Sequence, residues 1–133
     1  MEEKTRVLVV DDEKYILQLF KRALESEGFD VTMAADGESA LSLFKEIEPH
    51  IILLDIRMPK LDGYSVLERI RETSQVPVIM LTALPEQEGV RRCFDLGADD
   101  YIRKPFLTSV VVAHIQAKLK RAKHDTKKQS PSA

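Results

Sequence analysis

The chain has 133 residues, 44% hydrophobic and 32% charged, a balance typical of a soluble globular protein with room for one domain of ordinary size. A lone cysteine, Cys93, excludes an internal disulfide and a cysteine-only metal cluster and favours a reducing compartment. The acidic start Met1-Glu2-Glu3-Lys4 is not expected to be a secretory leader, and apolar runs of about five residues fall far short of a membrane span, so a cytoplasmic protein without a membrane partner is expected.

In chain order, Arg6-Val7-Leu8-Val9-Val10 is a continuous apolar strand of the kind buried on both faces of a parallel sheet. Beyond Asp11-Asp12, the residues Ile16, Leu19, Phe20, Ala23 and Leu24 share one helix face, and Gly28 stops that helix. Residues 29–34 read as a second strand, and Ala40, Leu41, Phe44 and Ile47 mark a second helix. Ile51-Ile52-Leu53-Leu54 forms a third strand ending at Asp55, followed by a helix carrying Val66, Leu67 and Ile70. Val78-Ile79-Met80-Leu81 is a fourth strand ending at Thr82. Pro85 suits a helix start, and Val90, Cys93 and Phe94 carry a fourth helix closed at Leu96-Gly97. Tyr101-Ile102 sit in a short fifth strand, and Val111, Val112, Ile115 and Leu119 line the last helix. Strands alternating with helices imply right-handed crossovers and a parallel sheet covered on both faces, an α/β, doubly wound fold.

The formal net charge of −2 hides an asymmetry: residues 118–133 carry +5, leaving −7 on the rest. The basic end is expected to be a helix terminus followed by a disordered tail, with a linker to something acidic such as DNA as the alternative. The acidic body argues against nucleic-acid binding by the body itself.

Ligands of open α/β sheets bind outside the carboxyl ends of the strands. Those positions hold Asp11 and Asp12, Asp55, Thr82 and Lys104. Three carboxylates drawn together repel, and a divalent cation with a taste for hard oxygen ligands, such as Mg²⁺, relieves that repulsion. Cys93 reads as a core residue, His50, His114 and His124 as surface residues, and Met58 and Met80 as packing.

Four runs carry a resemblance: Val-Leu-Val-Val-Asp-Asp-Glu, Leu-Leu-Asp-Ile-Arg-Met-Pro-Lys-Leu-Asp-Gly-Tyr, Val-Ile-Met-Leu-Thr-Ala and Gly-Ala-Asp-Asp-Tyr-Ile-Arg-Lys-Pro-Phe. In this order they resemble the receiver domain of two-component response regulators, over residues 6 to about 121, and most closely the winged-helix transcription-factor branch. The resemblance implies a flavodoxin-like sheet of five parallel strands in order 2-1-3-4-5. It implies a receiver unit at residues 5–121 and a basic tail or linker at 122–133. It implies Asp55 as phosphoacceptor for a sensor histidine kinase. Mg²⁺ would be held by Asp12 directly, by Asp11 largely through water, by Asp55 and by the backbone carbonyl of Arg57. Lys104 and Thr82 would contact phosphoryl oxygens, and Tyr101 would turn inward as Thr82 moves. The Lys104-Pro105 bond is expected to be cis. Arg57 and Leu84 would border the path of a hydrolytic water.

The protein is thus expected to be no enzyme beyond its own phosphorylation and dephosphorylation. Two rivals stand beside this reading. A phosphatase of the haloacid-dehalogenase type would place Asp-x-Asp after the first strand, where Asp11-Asp12 are adjacent instead. A flavin or nucleotide module would need a glycine-rich phosphate loop, and the five glycines form none. Output is expected through a homodimer on the face of the fourth helix, fifth strand and fifth helix, with DNA reached only by a domain outside this chain. On that face Val90 and Val110 stand where the resembled branch pairs opposite charges, and His114 stands where it has arginine.

Overall fold

The computed structural model describes residues 3–83 and 87–129, with side chains in the final helix described as far as 123. Leu84, Pro85, the His124 side chain and residues 130–133 lie outside the described residues.

Five strands and five helices alternate: β1 (Arg6–Val10), α1 (Lys14–Ser26), β2 (Asp30–Ala34), α2 (Gly37–Ile47), β3 (Ile51–Asp55), α3 (Gly63–Arg71), β4 (Val78–Thr82), α4 (Gln87–Asp95), β5 (Asp100–Arg103) and α5 (Thr108–Gln129). Every pairing is parallel, in the order β2-β1-β3-β4-β5, as expected. Side chains alternate across each strand, which feeds one core on either face of the sheet. Val7, Val9, Leu53 and Leu81 meet α1 and α5 through Phe20, Leu24, Val111 and Ile115. Leu8, Val10, Leu54 and Met80 meet α2, α3 and α4 through Ala40, Val66, Leu67 and Cys93. The three central strands are apolar on both faces for this reason, and each fully buried Val or Leu contributes about 1.5–3 kcal/mol of transfer free energy.

Caps fix where the helices begin. The carboxylates of Asp36 and Asp62 accept the amides of Ser39 and Ser65 at 2.8 and 2.9 Å, opening α2 and α3. Gly28 ends α1 as the sequence suggested, and its φ of +90 is one that glycine adopts without a Cβ penalty. α5 runs on to Gln129, through residues 122–129 of the stretch for which composition pointed to disorder. Ala122, the lysines and Gln129 of that stretch are good helix formers although no apolar periodicity runs through it. Phe94 also departs from expectation. It is 45% exposed, because α4 turns Cys93 rather than Phe94 into the core, and its ring packs edge-on against Tyr101 at 6.0 Å.

Candidate functional site

The carboxyl ends of β1, β3, β4 and β5 bring the expected residues together. Asp11 follows β1 and is held by its own turn: its carboxylate accepts the Glu13 amide at 3.0 Å, and its amide donates to the Ala34 carbonyl at 3.1 Å. Asp55 closes β3, flanked by register partners of β4, and its carboxylate accepts the Arg57 amide at 3.3 Å. The Lys104 amide donates to the Thr82 carbonyl at 2.7 Å, which extends the β4–β5 pairing to the residue before a cis Lys104-Pro105 bond.

Asp11 and Asp55 are buried at 0% and 4% exposure, Thr82 at 5%, while Asp12 faces solvent. One oxygen from each of Asp11, Asp12 and Asp55 lies within 4.8 Å of the other two. The Lys104 ammonium reaches Asp11 at 2.9 Å, Asp55 at 3.6 Å and Glu13 at 3.7 Å. Burial, reinforced by the charge of Asp11, pushes the Asp55 carboxyl up to about 7 against the pull of Lys104 and the Arg57 amide. Burial alone lowers Lys104, but its hydrogen bond to Asp11 and the charges of Asp55, Asp11 and Glu13 outweigh this and leave it above the usual lysine value.

The donor set fits a hard divalent cation. Three carboxylates converge with one ammonium that offsets them only in part, every donor is oxygen, and exposed Asp12 leaves a side open to water. A cleft of about 530 Å³ opens over the cluster, lined by Asp12, Arg57, Met58, Tyr64, Thr82 and Gly89. Tyr101 lies at the middle of β5, partly exposed beside a second cleft of about 720 Å³ that it shares with Gln87, Val90 and Arg91.

Two residues at the site carried no assignment from sequence. Glu13 reaches Lys104, and Tyr64 walls the cleft. Both stood inside the quoted runs, directly after Asp11-Asp12 and Gly63, so adjacency to the carboxylate and loop motifs was the available signal. Cys93 is buried, His50 is exposed, and His114 pairs with Asp100 at 2.6 Å, away from the acidic cluster. Among the described residues no helix is long and apolar enough to cross a membrane.

The chain is thus an α/β module with a parallel sheet whose carboxyl edge carries an acidic cluster and a lysine. Residues 7–116 match the response regulator receiver domain family model. The chain is 47% identical over 119 residues to a probable transcriptional regulator ycf27 of Porphyridium aerugineum, covering 90% of this chain and 50% of that protein. It is 47% identical over 124 residues to the transcriptional regulatory protein CseB of Streptomyces avermitilis, covering 93% and 53%. Among solved structures, the CheY-like receiver domain protein of Methanospirillum hungatei superposes with a TM-score of 0.89 at 30% identity, over 92% of this chain and 99% of that one. The chain belongs to the response regulator receiver family, a family of signalling domains rather than of conventional enzymes. It spans about half the length of the transcriptional regulators it matches.

Proposed function

We propose that Asp55 accepts a phosphoryl group from the phosphohistidine of a sensor histidine kinase, and that this acyl phosphate switches the α4-β5-α5 surface. The convergence of Asp11, Asp12, Asp55 and Lys104 on one strand edge carries the reading. A carboxylate is a weak nucleophile toward an anionic phosphoryl group, so positioning and charge neutralisation must carry the reaction. The ionised Asp55 oxygen forms the new P–O bond while the P–N bond to the donor imidazole breaks, and the imidazole leaves with its electron pair. Lys104 shifts its ammonium from Asp11 and Asp55 to an equatorial phosphoryl oxygen, and the Thr82 hydroxyl donates to another.

Asp12 directly, Asp11 largely through water, Asp55 and the Arg57 carbonyl would hold Mg²⁺. When bound, that ion offsets the negative charge that gathers where carboxylate meets phosphoryl group. Water later cleaves the P–O bond and resets the switch, with Arg57 bordering its path.

Residues 5–121 make up the receiver unit, and the basic stretch 122–133 serves as its tail or linker. Because the relatives are named transcriptional regulators, the reading assigns control of transcription in the cytoplasm, with DNA contacted by a domain outside this chain. Phosphorylated chains pair through α4-β5-α5. There Val110 is 43% exposed and heads a stripe that includes His114, Ala117 and Arg121, separate from core-facing Val111 and Ile115.

Incubation with acetyl phosphate and Mg²⁺ tests the reading by intact mass. One phosphoryl group should be gained, and replacement of Mg²⁺ by EDTA should abolish the gain. A gain that persists undiminished in EDTA contradicts the metal assignment, and no gain under any condition contradicts the phosphoacceptor.

A further inference from the structure

We propose that Tyr64 is a positioning residue for the switch, a latch that holds α4 against α3 and that must open when α4 moves. The proposal rests on the reading of this chain as a phosphorylation-driven switch. It is carried by how differently the two helices are fastened.

α3 is locked to the phosphoacceptor strand. The Gly63 amide donates to the Ile56 carbonyl at 2.8 Å, and a Cβ on Gly63 would stand 2.3 Å from the Asp55 carbonyl oxygen, so helix and strand touch backbone to backbone. Val66, Leu67 and Ile70 then bury the inner face of α3. α4 is held far less firmly, with Cys93 its one fully buried residue. It also has open volume on two sides: the cleft of about 530 Å³ reaches Gly89, and the cleft of about 720 Å³ reaches Gln87, Val90 and Arg91. A helix with few buried contacts and room beside it is drawn from the low-stability end of a fold.

Tyr64 spans this difference. It is the second residue of α3, one position from the Asp55 contact, and its hydroxyl donates to the Gly89 carbonyl of α4 at 3.4 Å. Gly89 lacks the Cβ that would come within 2.9 Å of that hydroxyl, so the backbone of α4 can approach. One turn further along α4, the Arg92 guanidinium lies over the Tyr64 ring, 4.2 Å from its centre. The ring therefore grips α4 at two points, one through an edge hydroxyl and one through a face. The same residue walls the cleft shared by Asp12 and Thr82, so displacement of α4 away from α3 both opens that cleft and breaks the grip. The latch biases the unphosphorylated protein toward the arrangement described here, and phosphorylation acts against it.

The test compares the parent chain with Arg92→Ala, Tyr64→Phe and Tyr64→Ala. Arg92 is exposed, so its truncation leaves the core intact even if a Tyr64 variant folds poorly. Two quantities are read: hydrogen exchange of the 87–95 amides without any phosphoryl mimic, and affinity for beryllofluoride in the presence of Mg²⁺. Arg92→Ala should speed exchange in α4 and tighten beryllofluoride about two- to fivefold, the equivalent of one cation–π contact. Tyr64→Ala should exceed it, and Tyr64→Phe, which keeps the ring, should fall below it. A purely structural role would destabilise the protein without tightening the mimic. Unchanged α4 exchange in Arg92→Ala, or unchanged or weakened beryllofluoride binding, overturns the latch. A parent chain that binds no beryllofluoride instead contradicts the phosphoacceptor reading, while the exchange measurement still judges the grip on α4.

Discussion

The Lys104 ammonium lies 2.9 Å from a carboxylate oxygen of Asp11, a residue with no exposure to solvent. Both partners are largely out of water, so the pair is held together by the cost of leaving either charge alone. Lys104→Ala strands the buried carboxylates of Asp11 and Asp55, and in EDTA it should lower stability by on the order of 3 kcal/mol. Mg²⁺ should recover part of that loss, because the ion substitutes for the missing cation. Thermal melting in EDTA and in Mg²⁺ measures both effects, and equal melting of variant and parent in EDTA refutes the pairing.

Asp55 supplies a pH dependence. Its carboxyl is pushed from the ordinary 3.8 to about 7, chiefly by burial and then by Asp11. Between those values the native chain keeps a proton that the unfolded chain has released, so the metal-free protein loses stability as pH rises through that window. Asp55→Asn removes the liability. In EDTA it should be more stable than the parent above neutral pH, by at most about 1.4 kcal/mol for each pH interval of one between the unfolded and native values. The difference should fade toward pH 4, near the unfolded carboxylate value. Denaturant titrations at pH 4 and pH 8 provide the check, and a variant less stable than the parent at pH 8 contradicts it.

Thr82 and Tyr101 should act as a pair. Thr82 ends β4 beside Lys104, and Tyr101 rests edge-on against Phe94 of α4. Beryllofluoride should change the NMR environment of the Tyr101 ring in the parent and change it far less in Thr82→Ala, although the mimic still binds. An identical response in the variant rules out the coupling.

The fold was legible because the three central strands are apolar runs and each ends on, or runs straight into, a polar residue with chemistry. Val7 to Val10 and Ile51 to Leu54 announce a sheet buried on both faces, and Asp11 and Asp55 announce its working edge. Rotation of a helix about its axis is harder to read. Val90, Cys93 and Phe94 share a helical stripe, yet only packing against β5 decides that Cys93 enters the core and Phe94 leans outward on Tyr101. Glu13 and Tyr64 escaped assignment because their partners, Lys104 and Arg92, are distant in sequence and meet them only in the folded chain. The continuation of α5 to Gln129 is hidden in the sequence because apolar periodicity disappears where helix propensity persists.

The α4-β5-α5 surface carries its own test. His114 is engaged by Asp100 at 2.6 Å within the chain, with Lys118 at 3.9 Å, while Phe94 and Val110 stay exposed. With apolar Val90 and Val110 on this surface, association should rest on apolar burial and resist salt. Sedimentation with beryllofluoride and Mg²⁺ should show a dimer at low and at high salt. A monomer throughout rejects the interface, and a dimer that dissociates as salt rises rejects its apolar character.

Phosphorylation of Asp55 can be trapped chemically. Borohydride reduces an aspartyl phosphate to homoserine, which marks the acceptor permanently. After treatment with acetyl phosphate and Mg²⁺, reduction and peptide sequencing by mass spectrometry should find homoserine at position 55, and Asp55→Asn should yield none. Homoserine at position 11 or 12, or undiminished phosphorylation of Asp55→Asn, would contradict the account.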